Sequence, residues 1–273
     1  MFTDAHCHPF DLKRAINGAV EARRRLGIMC AASATGAEEF AYNEELARTA
    51  KAEGAPPLLP CFAVHPQLPA SLPGAGDAGG RVRDGLALLE SFACEGRLAA
   101  VGETGFDLFN GAFRETEAVQ DELFAAHLET ALRHKLPLVL HVRRAMHKVF
   151  AHARTLAKCK AVIFHSWPGT VGEGEALLRR KVNAFFSFGT AILLNHRETM
   201  RCCAAFPLSR ILTETDAPYQ PLRGARHSTW EDLPRVLQAA AALRRNAGAA
   251  GSSAGELETA VENNFRAAFG PFE

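Results

Sequence analysis

The sequence predicts an α/β fold in which eight parallel strands and their helices close into a (β/α)8 TIM-type barrel. Short apolar segments recur at regular distances, and stretches with helical periodicity lie between them. Strands with an almost continuous apolar sequence, such as Leu138-Val139-Leu140, are typical of parallel sheets that are covered on both faces. The 273 residues suit a barrel that forms one domain over residues 1–273, and no Gly-x-Gly-x-x-Gly motif favours an open dinucleotide-binding sheet.

Predicted strands and helices alternate along the chain. Strands are expected in the N-terminal segment and at residues 28–34, 58–64, 98–102, 138–141, 161–164, 183–188 and 211–214. Helices are expected at residues 38–52, 84–94, 115–134, 145–156, 197–205, 229–247 and 257–269. Two segments rich in proline, glycine or small residues, at 66–80 and 248–255, are predicted to be loops, and the first is a candidate lid.

The composition is that of a globular enzyme. Apolar residues make up 48% of the chain and charged residues 22%, which excludes long disordered tracts. The net charge of +1 argues against a protein that coats long stretches of nucleic acid, so any contact with a polyanion is expected to be local.

Cysteine use and the N-terminus indicate the compartment. Seven cysteines without a Cys-x-x-Cys motif are expected to be reduced thiols, with Cys7 and the pair Cys202-Cys203 in packed positions. The N-terminus lacks the pattern of a signal peptide, and no apolar run approaches the roughly 20 residues that cross a bilayer. We therefore expect a cytoplasmic protein with no membrane contact, of undetermined oligomeric state.

The N-terminal segment ends in the motif His6-Cys7-His8. Side chains alternate between the faces of a strand, so both imidazoles project to the same side, where they can bind one divalent ion. Alone the motif is weak, but further imidazoles and carboxylates also follow apolar segments, at the strand ends where barrel enzymes place their chemistry. The predicted ligands are His6, His8, Glu103, His141, His165 and Asp216.

Six ligands exceed the needs of one tetrahedral ion, so the sequence predicts two divalent metal ions. Zinc, manganese, iron and magnesium all suit the mixture of imidazole and carboxylate. Such ions activate water for hydrolysis. Asp216 is the candidate general base, and Glu103 is expected to fix the ions and their spacing. The alternative interpretation of Asp216 is a helix N-cap.

Five motifs resemble the successive motifs of the TatD family of metal-dependent deoxyribonucleases, within the amidohydrolase superfamily. They fall in the same order along the chain, and an Asn-Phe pair at 264–265 extends the resemblance. The motifs are Thr3-Asp4-Ala5-His6-Cys7-His8, Val101-Gly102-Glu103-Thr104-Gly105-Phe106-Asp107, Leu136-Pro137-Leu138-Val139-Leu140-His141-Val142-Arg143, Phe164-His165-Ser166-Trp167-Pro168-Gly169 and Thr213-Glu214-Thr215-Asp216-Ala217-Pro218-Tyr219.

The resemblance implies a division of the ligands between two ions. One ion is expected at His6, His8 and Asp216, the other at His141 and His165, with Glu103 bridging them. The resemblance also implies phosphodiester hydrolysis with DNA as the substrate. The expected activity is that of a 3′–5′ exonuclease on single-stranded DNA. DNA or RNA, the direction of digestion and the metal are left open by the sequence.

Two departures from the family pattern lie where substrate is expected. Where the family usually has His-Pro-His, this chain has His65-Pro66-Gln67. Where the family usually has Arg-Asp, this chain has Arg143-Arg144. His65 and Arg143 are nevertheless predicted to contact the substrate. Their alternative roles are a bond to loop backbone for the histidine and a salt bridge for the arginine.

Trp167 and Tyr219, near predicted ligands, are expected either to stack on a base or to close the barrel rim. A cluster of basic residues, Arg223, Arg226 and His227, follows the last strand and is expected to be either a positive rim or solvated surface.

Two other functions remain open. One is hydrolysis of a small ester, amide or lactone, and the other is metal binding without catalysis.

Overall fold

Eight strands form one parallel sheet in which each strand pairs with the next along the chain. The computed structural model describes residues 1–71 and 75–270. The strands are β1 (Thr3–Cys7), β2 (Met29–Ala34), β3 (Leu58–Phe62), β4 (Ala100–Asp107), β5 (Leu138–Arg143), β6 (Val162–Phe164), β7 (Ala184–Phe188) and β8 (Ile211–Thr213). All eight predicted strands are confirmed, and β4 extends beyond its predicted end because its last residues pair with β5.

The first and last strands meet and nearly close the ring. The backbone N–H of Asp216 donates to the carbonyl oxygen of His6 at 2.9 Å, and that of His8 donates to Ala217 at 2.8 Å. The Thr213 hydroxyl donates to the carbonyl oxygen of Thr3 at 2.9 Å. The predicted barrel is therefore confirmed.

Helices connect the strands and cover the outside of the barrel. They are α1 (Pro9–Ala15), α2 (Ala19–Leu26), α3 (Ala37–Ala52), α4 (Leu68–Ser71), α5 (Ala75–Cys94), α6 (Gly111–Glu115), α7 (Glu117–Arg133), α8 (Met146–Ala151), α9 (Ala153–Leu156), α10 (Val171–Arg179), α11 (Arg197–Ala205), α12 (Leu233–Asn246) and α13 (Ala254–Phe269). Within residues 1–71 and 75–270, none of them has both the length and the apolar composition needed to cross a bilayer.

The prediction of a continuous loop at residues 66–80 is wrong. α4 lies within it and α5 begins at Ala75, whereas residues 72–74 lie outside the described part of the chain. Pro69 is compatible with α4 because a proline in the first helical turn interrupts no hydrogen bond. The glycine-rich start of α5 continues into a segment whose residues Leu89 and Phe92 are buried, and this packing outweighs the low helix propensity of glycine.

Side chains from all eight strands form one cluster inside the barrel. Val139 of β5 and Phe185 of β7 belong to it, whereas their neighbours Leu140 and Phe186 pack in the outer layer beneath the helices. This alternation is the period of two that the strands impose. Phe265 and Phe269 of α13 join the inner cluster, so the last helix fills one end of the barrel.

The cysteines contribute to packing. All seven are free thiols and only Cys94 is exposed. Cys7 packs against Cys30 and Trp230 outside the ring, and Cys202 and Cys203 are fully buried in α11, as predicted.

Candidate metal centre

The six residues predicted as ligands lie together at the carboxyl ends of the strands. Val139 and Ile163 point into the barrel, so His141 and His165, two positions further along, point inward as well. All six side chains are buried, with relative exposures of 0–8%.

A first group of donor atoms combines two imidazoles and two carboxylates. The Nε2 atoms of His6 and His8 are 3.1 Å apart. Glu103 Oε1 lies 3.3 and 3.2 Å from them, and Asp216 Oδ1 lies 3.5 Å from both. Donors placed tetrahedrally around zinc at ~2.0–2.1 Å are about 3.4 Å from one another. The spacing of this group therefore fits a single divalent ion.

A second group uses the other oxygen of Glu103. His141 Nδ1 is 3.1 Å from His165 Nε2. Glu103 Oε2 lies 3.2 Å from the first of these nitrogens and 3.1 Å from the second. Glu103 thus presents one oxygen to each group.

His65 lies beside the second group. Its Nε2 is 3.5 Å from Glu103 Oε2, and its ring centroid is 4.7 Å from that of His141. Its Nδ1 accepts a hydrogen bond of 3.2 Å from the backbone N–H of Gln67, so the alternative of a bond to loop backbone is realised as well. Burial lowers the pKa of His65, which leaves a neutral ring facing the cleft at pH 7.

The electrostatics of the centre favour added positive charge. Burial by itself raises the pKa of Glu103, yet the surrounding imidazoles hold it well below its usual value. The pKa of Asp216 is also lowered, because the contacts with His8 and His6 outweigh burial. Burial alone lowers the pKa of His8, but hydrogen bonds to Asp216 and Glu103 raise it to about 10. Either protons on the imidazoles or cations bound to neutral rings satisfy the carboxylates, and the donor set suits the second.

Asp107 orients His141 from the side away from the donor group. Its Oδ2 lies 3.1 Å from His141 Nε2, and it accepts a hydrogen bond of 2.6 Å from the side-chain amide of Gln67. Burial raises the pKa of Asp107, but the hydrogen bonds from His141 and Gln67 lower it to about 2, so it is a carboxylate. Sequence reasoning gave Asp107 no role, although it ends one of the five motifs.

Two of the other imidazoles, those of His6 and His165, also have a neighbour on their second nitrogen. Ser33 Oγ is 3.2 Å from His6 Nδ1. Glu214 Oε1 is 3.7 Å from His165 Nδ1 and accepts hydrogen bonds from the backbone N–H and the hydroxyl of Ser166, at 2.7 and 2.6 Å. A hydrogen bond to the second nitrogen fixes the orientation of a ligand ring, and of these two contacts only that of Ser33 with His6 is within hydrogen-bond distance. Neither contact is predictable from the sequence, because the partners come from different strands or strand ends.

Two unusual backbone positions support the centre. Gly105 has φ +134°, and a Cβ there would lie 2.2 Å from the carbonyl oxygen of His141, so no side chain fits where β4 approaches β5. Asp216 has φ +54°, a strained conformation for a residue with a side chain. It begins a turn closed by the Tyr219 N–H at 2.7 Å, and no helix starts there, so the N-cap interpretation is wrong.

The centre forms the floor of a cleft of about 900 Å³. Trp167 lines it but is only 2% exposed, because its indole packs against Phe164 and Phe186. Stacking of Trp167 on a base is therefore excluded by packing. Tyr219 is 49% exposed at the mouth, and its hydroxyl donates to Asp11 at 2.9 Å.

Comparison with known proteins places the chain in a family. The profile of the TatD-related DNases matches residues 3–270. The chain belongs to the TatD-related DNase family. It is 32% identical over 193 residues to the protein named 3′-5′ ssDNA/RNA exonuclease TatD of Erwinia tasmaniensis, across 67% of this chain and 70% of that one.

A second TatD relative is similar in sequence and in structure. Over 172 residues the chain is 30% identical to the uncharacterized metal-dependent hydrolase YjjV of Escherichia coli K12, and the match spans 62% of the length of YjjV. The crystal structure of YjjV superposes with a TM-score of 0.79 at 27% identity and covers 98% of this chain and 97% of that one.

The two departures from the TatD pattern, Gln67 and Arg144, both contact the end of β4 or the residues that follow it. Gln67 binds Asp107, as described above. The Arg143 side chain is 43% exposed and lines the cleft, and its Nη1 is 3.4 Å from Asp107 Oδ2, so the alternative of a salt bridge is realised. Arg144 is exposed and donates to the carbonyl oxygen of Phe109 at 3.3 Å.

Proposed function

We propose that this chain is a divalent-metal-dependent hydrolase that cleaves phosphodiester bonds of single-stranded DNA. One observation carries the proposal: the two oxygens of Glu103 each face a separate group of buried donors, spaced for metal coordination, on the floor of one cleft. Membership of the TatD-related DNase family supports it.

In this proposal the ligands divide as the two donor groups do. His6, His8 and Asp216 would hold one ion, His141 and His165 would hold the other, and Glu103 would offer one oxygen to each. Two divalent ions, when bound, lower the pKa of water and stabilise charge on a phosphoryl oxygen. Magnesium, manganese and zinc all suit these donors.

The chain's own residues supply the remaining roles. Asp216 stays a carboxylate at neutral pH and is the proposed general base, with its Oδ2 held by the Gln220 amide at 2.7 Å. Glu103 fixes the spacing between the ions. The neutral ring of His65 and the guanidinium of Arg143 face the cleft and are proposed to contact the scissile phosphate.

The proposed substrate and direction of digestion are based on the relatives, and the proposed cellular location is based on the composition. Because the Erwinia relative is named a 3′-5′ ssDNA/RNA exonuclease, we propose digestion from the 3′ end, with single-stranded DNA as substrate. Seven free thiols suit a reducing compartment, so the cytoplasm is the proposed location. Residues 1–273 are proposed to act as one domain.

Replacement of a ligand tests the function. His141→Ala or Asp216→Ala should lower metal-dependent hydrolysis of a 5′-labelled single-stranded oligonucleotide at least about 100-fold and reduce the metal content of the protein. His147→Ala, which removes an exposed imidazole of α8, is the matched control. Progressive shortening of the 5′-labelled strand from its 3′ end supports the exonuclease. Circular dichroism checks that the variants are folded.

Other outcomes point to other functions. Full activity in either ligand variant contradicts the assignment. Turnover of small esters, amides or lactones without oligonucleotide cleavage indicates a small-molecule hydrolase. Tight metal binding without any hydrolysis indicates a non-catalytic metal protein.

A further inference from the structure

Two of the exposed aromatic side chains lie near the metal centre. Among the described residues, the exposed large hydrophobic side chains are Met1, Phe109 and Tyr219, at 44%, 43% and 49%. The Tyr219 ring is 5.1 Å from that of His8. Phe109 follows β4, two residues after Asp107. Tyr219 lines the cleft and Phe109 packs against Arg143, which also lines it, so both rings are within reach of a ligand in the cleft.

Two arginines surround the exposed ring of Phe109. The guanidinium carbons of Arg143 and Arg144 lie 4.1 and 4.6 Å from its centroid. Arg144 also has φ +55°, a conformation that costs energy in a residue with a side chain. Among the described residues it makes no ion pair with a carboxylate, so its charge faces solvent.

A continuous set of contacts links this ring to the metal centre. His141 Nε2 contacts Asp107 Oδ2 at 3.1 Å, and the same oxygen is 3.4 Å from Arg143 Nη1. The Arg143 guanidinium in turn lies over Phe109. A ligand on this ring is therefore connected to the second donor group through Arg143 and Asp107.

We propose that Phe109, Arg143 and Arg144 form a nucleotide platform for single-stranded nucleic acid at the mouth of the cleft. An unpaired base stacks on the ring and the guanidinium planes, and the arginines bind the flanking phosphates. The proposal rests on the proposed function and deepens it, because it specifies how the strand is held. Arg144 is exposed and places a positive charge beside the ring, where the platform needs it.

Binding to the metal-loaded protein tests the platform separately from catalysis. The probe is a fluorescent phosphorothioate oligonucleotide, as DNA and as RNA, measured by anisotropy. Phe109→Ala should weaken binding about tenfold or more, and Phe109→Trp should retain it. Arg144→Gln should lower the slope of log affinity against log salt by about 0.7.

Arg180→Gln is the matched control. Its guanidinium lies 5.1 Å from the Phe150 ring, and the residue precedes β7 at the opposite end of the barrel. This variant should bind the oligonucleotide like the wild type. If it weakens binding as much as Arg144→Gln does, the charge effect is nonspecific and the platform is wrong.

An abasic series locates the stacked base. Removal of one particular base should weaken binding to the wild type but cause no further loss in Phe109→Ala. Equal sensitivity in both proteins, or unchanged binding of Phe109→Ala, overturns the platform even if the wild type cleaves DNA. Binding that follows the prediction while no oligonucleotide is cleaved supports the platform and rejects the nuclease function.

Discussion

His141 shows how one side chain is fixed from two directions. Its Nδ1 faces Glu103 and His165, and its Nε2 faces Asp107. The carboxylate of Asp107 keeps a proton on Nε2, so the lone pair of Nδ1 is directed at the donor group. Both the tautomer and the ring orientation therefore depend on a residue outside that group.

Asp107→Asn should weaken metal binding at the second group. The amide keeps the shape but loses the charge that orients His141, so we expect the affinity for one of two ions to fall about 10- to 100-fold. Calorimetric titration of metal-free protein with Mn²⁺ or Zn²⁺ measures both sites. Asp121→Asn, which removes a carboxylate 2.8 Å from Lys148 on the helical surface, is the control. Two sites of unchanged affinity in Asp107→Asn would show that Asp107 does not orient His141.

At the scale of single residues, the sequence predicts the candidate metal ligands better than it predicts the residues that contact them. His6 and His8 share a face because of strand alternation, and the other ligands are recognisable at strand ends. The role of Asp107 was not predictable, since its partners come from β5 and from the segment after β3. The burial of Trp167 depends on packing with β6 and β7, which no local pattern indicates.

Among the elements, strands were predicted more completely than helices. Among the described helices, five were not predicted, namely α1, α2, α4, α6 and α10. A signal for α10 was present, because Thr170 and Glu173 form a capping box at its start. By contrast, α1 begins directly after His8 with a proline and is short, so periodicity cannot reveal it.

His127 joins α7 to the segment that carries His65. Its Nε2 accepts a hydrogen bond of 2.9 Å from the backbone N–H of Val64, and its Nδ1 contacts the carbonyl oxygen of Leu123. Burial lowers its pKa to about 4, so the ring is neutral in the folded protein. The unfolded chain binds the proton near pH 6.5, and stability is therefore lost as the pH falls from 6.5 towards 4.

His127→Gln should reduce the pH dependence of stability. Glutamine can accept from Val64 but does not titrate, so the wild type should lose about 2 kcal/mol more than the variant between pH 7 and pH 5. Urea unfolding of metal-free protein at both pH values measures the difference. The exposed His147→Ala serves as control and should behave like the wild type. Equal losses in wild type and His127→Gln would refute the role of burial.

In the whole molecule, the two ends of the barrel have different tasks. The carboxyl end of the strands carries the metal centre, whereas Phe265 and Phe269 fill the barrel interior from α13. Barrel enzymes commonly separate chemistry and stability in this way. The ring and its alternation were predictable from eight apolar segments, but the contribution of α13 to the interior was not, because a closing helix can pack anywhere on the outside.

Phe265→Ala should destabilise the fold while the metal affinity of the folded protein stays the same. The ring is fully buried, so its loss should cost about 3–5 kcal/mol of unfolding free energy. Urea unfolding and metal titration measure the two quantities. Phe109→Ala, the same substitution at an exposed ring, should cost less than about 1 kcal/mol. A large fall in metal affinity with Phe265→Ala would show that the two ends are coupled.

The hydrogen bonds between the end of β1 and the segment after β8 also bear on biosynthesis. His6 and Asp216 are separated by most of the chain but bond to each other through their backbones. A nascent chain whose residues 211–217 are still inside the ribosome cannot assemble the first donor group. Any cation it captures is held by an incomplete set of ligands, so the first donor group is complete only after residue 217 has left the ribosome.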